Sequence, residues 1–303
     1  MITCATASRE LDEPLTATAA TARTWLLVEQ PGPWGAKALT SGHLDPALGR
    51  ELEASAEGTG TRIALVRRPG RHADRHGPAR HHVFLAHTAP GNSWIRHAVL
   101  DDPAGLRGLD PAAAGHGDHG GWGEPWTGDP LVCVCTNGKR DRCCALLGRP
   151  LAGDLAHLDG AEVWEITHIG GHRFAPTVLV LPHGYAYGRV DARHVKEVVE
   201  GVREGRVVTG LCRGRSTWDR PGQAAELAVR ALTGEDRADA LTAEPAAGAA
   251  PHRTVLVRHT DGRRWRVAVE QGSSVPPRPE SCGAEPASPA RFTARDVHPL
   301  PPA

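Results

Sequence analysis

Apolar residues along the chain fall into short dense runs, separated by turn-forming stretches and by a few longer patterns with helical spacing. TWLLVEQ (24–30) reads as a buried strand and PGPWG (31–35) as a tight loop. DPALGRELEASAEG (45–58) spaces Leu48, Leu52 and Ala56 along one helix face, with Asp45 placed to cap its start. RIALV (62–66), HVFLAH (82–87) and SWIRHAVL (93–100) read as three further strands. The Gly/Pro/Asp-rich stretch 101–128 cannot sustain regular structure and marks a boundary. The order then recurs: PLVCVC (130–135) as strand, TNGKRDRC (136–143) as loop, and CALLGRPLAGDLAHL (144–158) as a helix broken or restarted near Pro150. EVWEIT (162–167), TVLVLP (177–182) and YAYGRV (185–190) follow as strands, with the loop HIGGHRFAP (168–176) after the first of them. DARHVKEVVEGVREG (191–205) closes the pattern as a helix capped by Asp191.

Two segments of about 100 residues therefore share one element order, which predicts a duplicated α/β unit. The expected fold is thioredoxin-like: two tandem units plus a small C-terminal β-hairpin region. The boundaries expected are a loose leader (1–22), an N-terminal unit without ligands (23–128), a second unit carrying the site (129–235), an Ala/Pro-rich linker (236–252), and a hairpin with an irregular Pro-rich tail (253–303). A helix is expected at 221–233, and Asp261-Gly262 marks the hairpin turn.

Composition narrows the function. Of 303 residues, 35 are basic and 35 acidic, which removes the usual electrostatic case for a nucleic-acid binder. No stretch approaches 18 consecutive apolar residues, so neither a membrane span nor a membrane partner is expected. The N-terminus lacks a secretory h-region, and the default is a cytoplasmic protein with reduced thiols. Seven cysteines and 17 histidines then raise the question of a metal site.

Cys135 and Cys144, with eight residues between them, bracket the loop between a strand and a helix, and His168 and His172 lie in the loop after the next strand. Adjacent strands would bring both loops to one sheet edge, so two thiolates and two imidazoles can converge. Gly170 and Gly171 argue for a loop between the histidines, because each glycine costs a helix roughly 1 kcal/mol, and they let the backbone approach something bulky. The candidate occupants are zinc and a [2Fe–2S] cluster. The spacing is not that of a zinc finger, and the segregation of Cys and His into separate loops is not the Rieske pattern.

CTNGKRDRCC (135–144), VWEITHIGGHRFAPTVLVLPHGYAYGRV (163–190), EQPGPWG (29–35) and the GRS of CRGRS (212–216) followed by QAAE resemble the sucrase/ferredoxin-like family, over about residues 24–235. The resemblance implies a thioredoxin-like ferredoxin whose cluster is held by Cys135, Cys144, His168 and His172. It implies a one-electron carrier served by a redox partner protein, with no catalytic residue of its own. Sucrase activity is not expected, since no pair of carboxylates stands out for glycoside hydrolysis. The alternatives are a zinc-stabilised binding module and a thioredoxin-like thiol oxidoreductase, the latter without a Cys-x-x-Cys.

Around the ligands, Arg140 and Asp141 match the family's Arg-Asp, and with Cys143, Gly170 and Gly171 they are candidates to support the site. Thr167, Arg173, Arg213 and Arg215 are weaker candidates. The eight-residue spacing favours Cys144 over Cys143. Cys133 reads as a buried core residue, and Cys4, Cys212 and Cys282 as bystanders. His72 and His76 repeat the His-x3-His spacing without accompanying cysteines and read as a solvated loop.

Overall fold

The computed structural model describes residues 3–70 and 80–301; the His72/His76 pair lies outside the described residues. Helix α1 (Cys4–Glu10) opens the chain, capped by Thr3, whose hydroxyl accepts from the Thr6 N–H at 3.1 Å. The first half then runs β1 (Thr24–Glu29), α2 (Pro46–Ala56), β2 (Thr61–Arg67), β3 (His81–His87), β4 (Trp94–Leu100), α3 (Pro111–Gly115) and β5 (Glu124–Pro125). The second half runs β6 (Leu131–Cys135), α4 (Arg149–Leu155), β7 (Glu162–Ile166), β8 (Thr177–Leu181), β9 (Tyr185–Gly188), α5 (Ala192–Arg203) and β10 (Cys212–Arg215). Helix α6 (Arg220–Thr233) leads to β11 (Leu241–Ala243), β12 (His252–His259), β13 (Arg264–Ser273) and β14 (Ala290–Leu300).

The first ten strands form one mixed sheet, in the order β10-β9-β8-β6-β7-β2-β1-β3-β4-β5. Its two halves repeat each other: β1 is parallel to β2 and antiparallel to β3, as β6 is to β7 and β8. They meet where β2 and β7 pair antiparallel, Val66 with Ile166 and Arg67 with Glu165. That overlap is short, so β2 runs on past the end of β7 and its first residues flank the loop that follows β7.

Strand alternation divides the sheet residues between two faces. Trp25, Leu27, Val66, Cys133, Cys135, Trp164 and Ile166 share one buried cluster that crosses the seam between the halves. Leu26, Val28 and Leu65 pack with Leu48 and Leu52 of α2, while Val132 and Val134 pack with Leu151 and Leu155 of α4 and with α5. Helix α5 buries Val195, Val198, Val199 and Val202, the i, i+3, i+4, i+7 stripe of an amphipathic helix. Asp45 and Asp191 cap α2 and α5 as the sequence predicts, accepting from the N–H groups of Ala47 and His194.

Four expectations are corrected. The stretch 101–128 does hold regular structure, α3 and β5, and residues 236–252 are not a linker, because β11 pairs with β12 and Ala238, Leu241 and Ala243 are buried. Residues 3–22 are not a loose leader: Cys4, Ala5, Ser8, Ala17, Ala19 and Ala22 are buried, and small residues leave little amphipathic signal. The tail is not irregular, because β14 completes a four-stranded antiparallel sheet, β11-β12-β13-β14, against α6. A register shift opposite Ala268/Val269 sets Ala294 and Asp296 against adjacent β13 residues, which breaks the period-2 pattern between Ala294 and Val297.

The seam carries a buried ion pair. Arg67 Nε donates to Glu165 at 2.8 Å, its Nη1 donates to the Gly32 carbonyl at 2.6 Å, and its guanidinium lies 3.9 Å from the Trp34 ring centroid. Thr136 Oγ1 donates to the same carboxylate at 2.7 Å. Removing one partner of such a pair strands the other charge in the interior. Glu165→Gln is expected to lower the unfolding free energy by about 3 kcal/mol; a urea midpoint equal to wild type would contradict this account of the seam.

His87 supplies a second prediction. Its Nδ1 lies 2.8 Å from Thr24 Oγ1, and burial, aided by Arg23 and Arg215, pushes its pKa down to about 4. The unfolded chain therefore binds this proton first, and the contribution of His87 to stability is complete above about pH 6.5. It is lost as pH falls from there toward about 4. His87→Gln is expected to flatten the decline in urea midpoint across that interval, and an undiminished slope would count against it.

Candidate metal centre

Parallel strands end at the same sheet edge, and β6 and β7 are parallel with Cys135 opposite Ile166. Both following loops consequently leave from one edge. The first, 136–143, folds on Asn137, whose carbonyl accepts from the N–H groups of Arg140 and Asp141 at 3.2 Å, while its amide donates to the Gly35 carbonyl at 3.1 Å. A π-helical turn, Cys144–Gly148, then leads into α4. Gly148 sits so close to the end of β6 that an added Cβ would collide with the Cys135 carbonyl oxygen. This absence of a side chain lets the turn close and carries Cys144 onto Cys135.

The second loop is pinned by residues from elsewhere. Thr167 Oγ1 accepts from the Leu65 N–H at 3.0 Å, and Arg62 donates to the His168 carbonyl at 3.2 Å. Gly170 and Gly171 take left-handed φ values of 80° and 72°. A Cβ at Gly171 would strike the Arg213 guanidinium. Arg213 is fully buried and donates to the Gly170 carbonyl and to Thr18 Oγ1, both at 3.0 Å, and to the Thr18 carbonyl.

The four residues expected as ligands come together. Cys135 lies within hydrogen-bonding reach of both Cys144 and His168, and the rings of His168 and His172 are 4.9 Å apart. Cys135, Cys144 and His172 are buried and His168 is half-buried. The hydrogen bond from Cys144, reinforced by His168, holds the Cys135 thiol well below its ordinary range, while Cys144 is raised by donating to it and by burial. Burial lowers His172, against the opposing pull of Asp141, whose Oδ2 lies 3.7 Å from its Nε2. The Nδ1 atoms of both histidines are buried without a hydrogen-bond partner. A soft thiolate pair with two imidazoles holding unpaired buried nitrogens suits a metal or an iron–sulfur cluster.

Of the supporting candidates, Asp141 is buried against the site and Arg140 is exposed on its loop. Arg173, beside His172, is held by Glu13 at 3.0 Å and Glu280 at 2.8 Å. Arg215 instead ties the carbonyls of Thr88 and Ala238 at 2.8 and 2.7 Å. Cys133 and Cys212 are buried in the core, and burial pushes each thiol up to about 12.

Cys4 and Cys282 are not bystanders. Their Sγ atoms lie 3.6 Å apart, and Cys143 Sγ lies 3.6 Å from Cys4 and 3.2 Å from Cys282. Asp141 joins them, its carboxylate oxygens 3.7 Å from Cys4 Sγ. Cys143 thus belongs with this second group, while its neighbour Cys144 turns toward Cys135. Residues 4, 143 and 282 share no motif, and the odd cysteine count was the sole trace of them in the sequence.

Comparisons with known proteins agree with the resemblance. Two curated relatives are both named "Altered inheritance of mitochondria protein 32". The one from Meyerozyma guilliermondii is 29% identical over 97 residues, 28% of this chain and 34% of its own. The one from Candida glabrata is 27% identical over 101 residues, 28% of this chain and 32% of its own. The match thus spans about a third of the length of these relatives, and no solved structure matches the chain. The model of the sucrase/ferredoxin-like family matches residues 15–214, a span that takes in both halves of the large sheet and all four residues of the Cys135 site, and the chain belongs to that family.

Proposed function

We propose that the protein is a one-electron carrier whose [2Fe–2S] cluster is held by Cys135, Cys144, His168 and His172. The observation that carries this reading is the convergence of two thiols and two imidazoles at one sheet edge, with both imidazole Nδ1 atoms buried and unpartnered. Each half of the large sheet is read as a thioredoxin-like unit, on the shared order β7-β6-β8-β9 and β2-β1-β3-β4.

When bound, such a cluster supplies a one-electron couple. The chain's own residues set its surroundings. Two neutral imidazoles in place of two thiolates reduce the negative charge at the site, which favours reduction relative to an all-cysteine plant-type ferredoxin at about −400 mV. Arg213, buried, and Arg62, half-buried, stand beside the loops and add positive charge within reach of Cys135. Gly170, Gly171 and Arg213 fix the histidine loop, so the imidazoles stay in place as the charge changes. His168 is the most exposed of the four and lines a cleft of about 270 Å³ with Arg62, Arg173 and Arg220. It is the natural outlet toward a redox partner protein. The seven free cysteines suit a reducing compartment such as the cytoplasm.

The full chain, purified anaerobically, is expected to be red-brown with about two irons per chain. Cys135→Ser is expected to remove the colour, and an iron-free wild-type protein would overturn the reading. His168→Cys or His172→Cys is expected to lower the midpoint potential and weaken its pH dependence in voltammetry from about pH 6 to about pH 10. Curves that superimpose on wild type would show that the histidines are not ligands.

A further inference from the structure

We propose that Cys4, Cys143 and Cys282 bind a single zinc ion as three thiolates, with Asp141 as the fourth donor, at a second site separate from Cys135, Cys144, His168 and His172. The four donor atoms lie within 4.8 Å of one another, and Cys4, Cys143 and Asp141 are buried. Tetrahedral zinc with Zn–S bonds of about 2.3 Å places thiolate sulfurs about 3.8 Å apart. The three separations here, 3.2, 3.6 and 3.6 Å, enclose room for one ion and not for a multinuclear cluster. The near-equal spacing also argues against a disulfide, which would join two sulfurs and strand the third beside a buried carboxylate.

N–H groups lie against two of the three sulfurs. The backbone N–H of Ala5 donates to Cys143 Sγ, that of Cys4 donates to Cys282 Sγ, and Arg142 donates to Cys282 Sγ. Such N–H···S contacts are the outer partners that orient metal-bound thiolates. Asp141 is itself positioned, accepting from the N–H groups of Cys143 at 2.8 Å and Cys282 at 2.7 Å and from Ser281 Oγ at 3.0 Å. Oδ1 takes one of these bonds and Oδ2 two, so Oδ1 has a lone pair to spare. An oxygen donor beside three thiolates favours zinc over copper(I), which prefers sulfur alone.

The site's place in the fold gives it a structural task. Its ligands come from α1, from the loop that also carries Cys144, and from the segment before β14. Glu13, just after α1, is also tied by buried ion pairs to Arg278 of the segment before β14 at 3.0 Å and to Arg173 of the histidine loop at 3.0 Å. Zinc would fasten both ends of the chain across the loop between Cys135 and Cys144, and Asp141 would then link the ion to His172.

Metal analysis of the full chain, grown with zinc, tests this independently of the cluster. Wild type is expected to hold about one zinc per chain, and Cys4→Ser and Cys282→Ser each to lose it at least about tenfold. Cys135→Ser should keep zinc while losing iron, so failure of the cluster reading leaves the zinc result legible. Because loss of the tie can unfold the chain, cobalt(II) titration of chelator-treated wild type is a second measure. It should show tetrahedral d–d bands and thiolate-to-cobalt charge transfer, unchanged in Cys135→Ser. Zinc-free wild type, zinc retained in both serine variants, or a Cys143–Cys282 disulfide in a peptide map of freshly prepared protein would each overturn the proposal.

Discussion

The pairing of β6 with β7 is the constraint on which the rest depends. Because these strands are parallel and in register from Leu131/Glu162 to Cys135/Ile166, their C-terminal ends coincide at one edge of the sheet. An antiparallel pair would send the cysteine loop and the histidine loop to opposite edges. The crossover that parallel pairing requires is supplied by the π-helical turn and α4, and the start of that crossover is also where Cys144 sits. Connectivity and donor placement are therefore one problem with one solution.

The first half of the sheet carries no comparable donor set among the described residues, yet it is not a spectator. The short antiparallel overlap of β2 and β7 lets β2 extend beside the histidine loop, where Leu65 and Arg62 hold Thr167 and His168. The Arg67–Glu165 pair lies at this overlap and reaches Thr136, the residue after Cys135. A buried ion pair of this kind adds little net stability against an apolar replacement, but it penalises any other register, because a slip would leave both charges unpaired.

The two ends of the chain close the same edge from the other side. Thr18 receives Arg213, Glu13 receives Arg173 and Arg278, and Cys4 and Cys282 meet Cys143. These are contacts between segments more than a hundred residues apart. Two of them act on a residue next to a candidate ligand, since Arg173 follows His172 and Cys143 precedes Cys144, and Arg213 reaches the Gly170 carbonyl between the histidines. The loops that carry the donors are thus held from both sides by charge pairs and sulfur contacts rather than by apolar packing alone.

The sequence by itself determined the repeated strand and helix order, the caps at Asp45 and Asp191, and the placement of Cys135, Cys144, His168 and His172 in two loops at one sheet edge. All of these depend on local spacing, on period 2 or 3.6, or on a short loop between adjacent elements. It did not show that residues 3–22 pack, because Ala, Cys and Ser leave no apolar stripe, nor that β14 exists, because a bulge breaks its alternation. Least of all did it show that Cys4 and Cys282 join Cys143, or that Cys143 and Cys144, adjacent in the chain, turn to different partners. Those outcomes belong to the tertiary structure, since only the packing of both termini over one sheet edge brings sulfurs 139 and 278 positions apart to within 3.6 Å of one another.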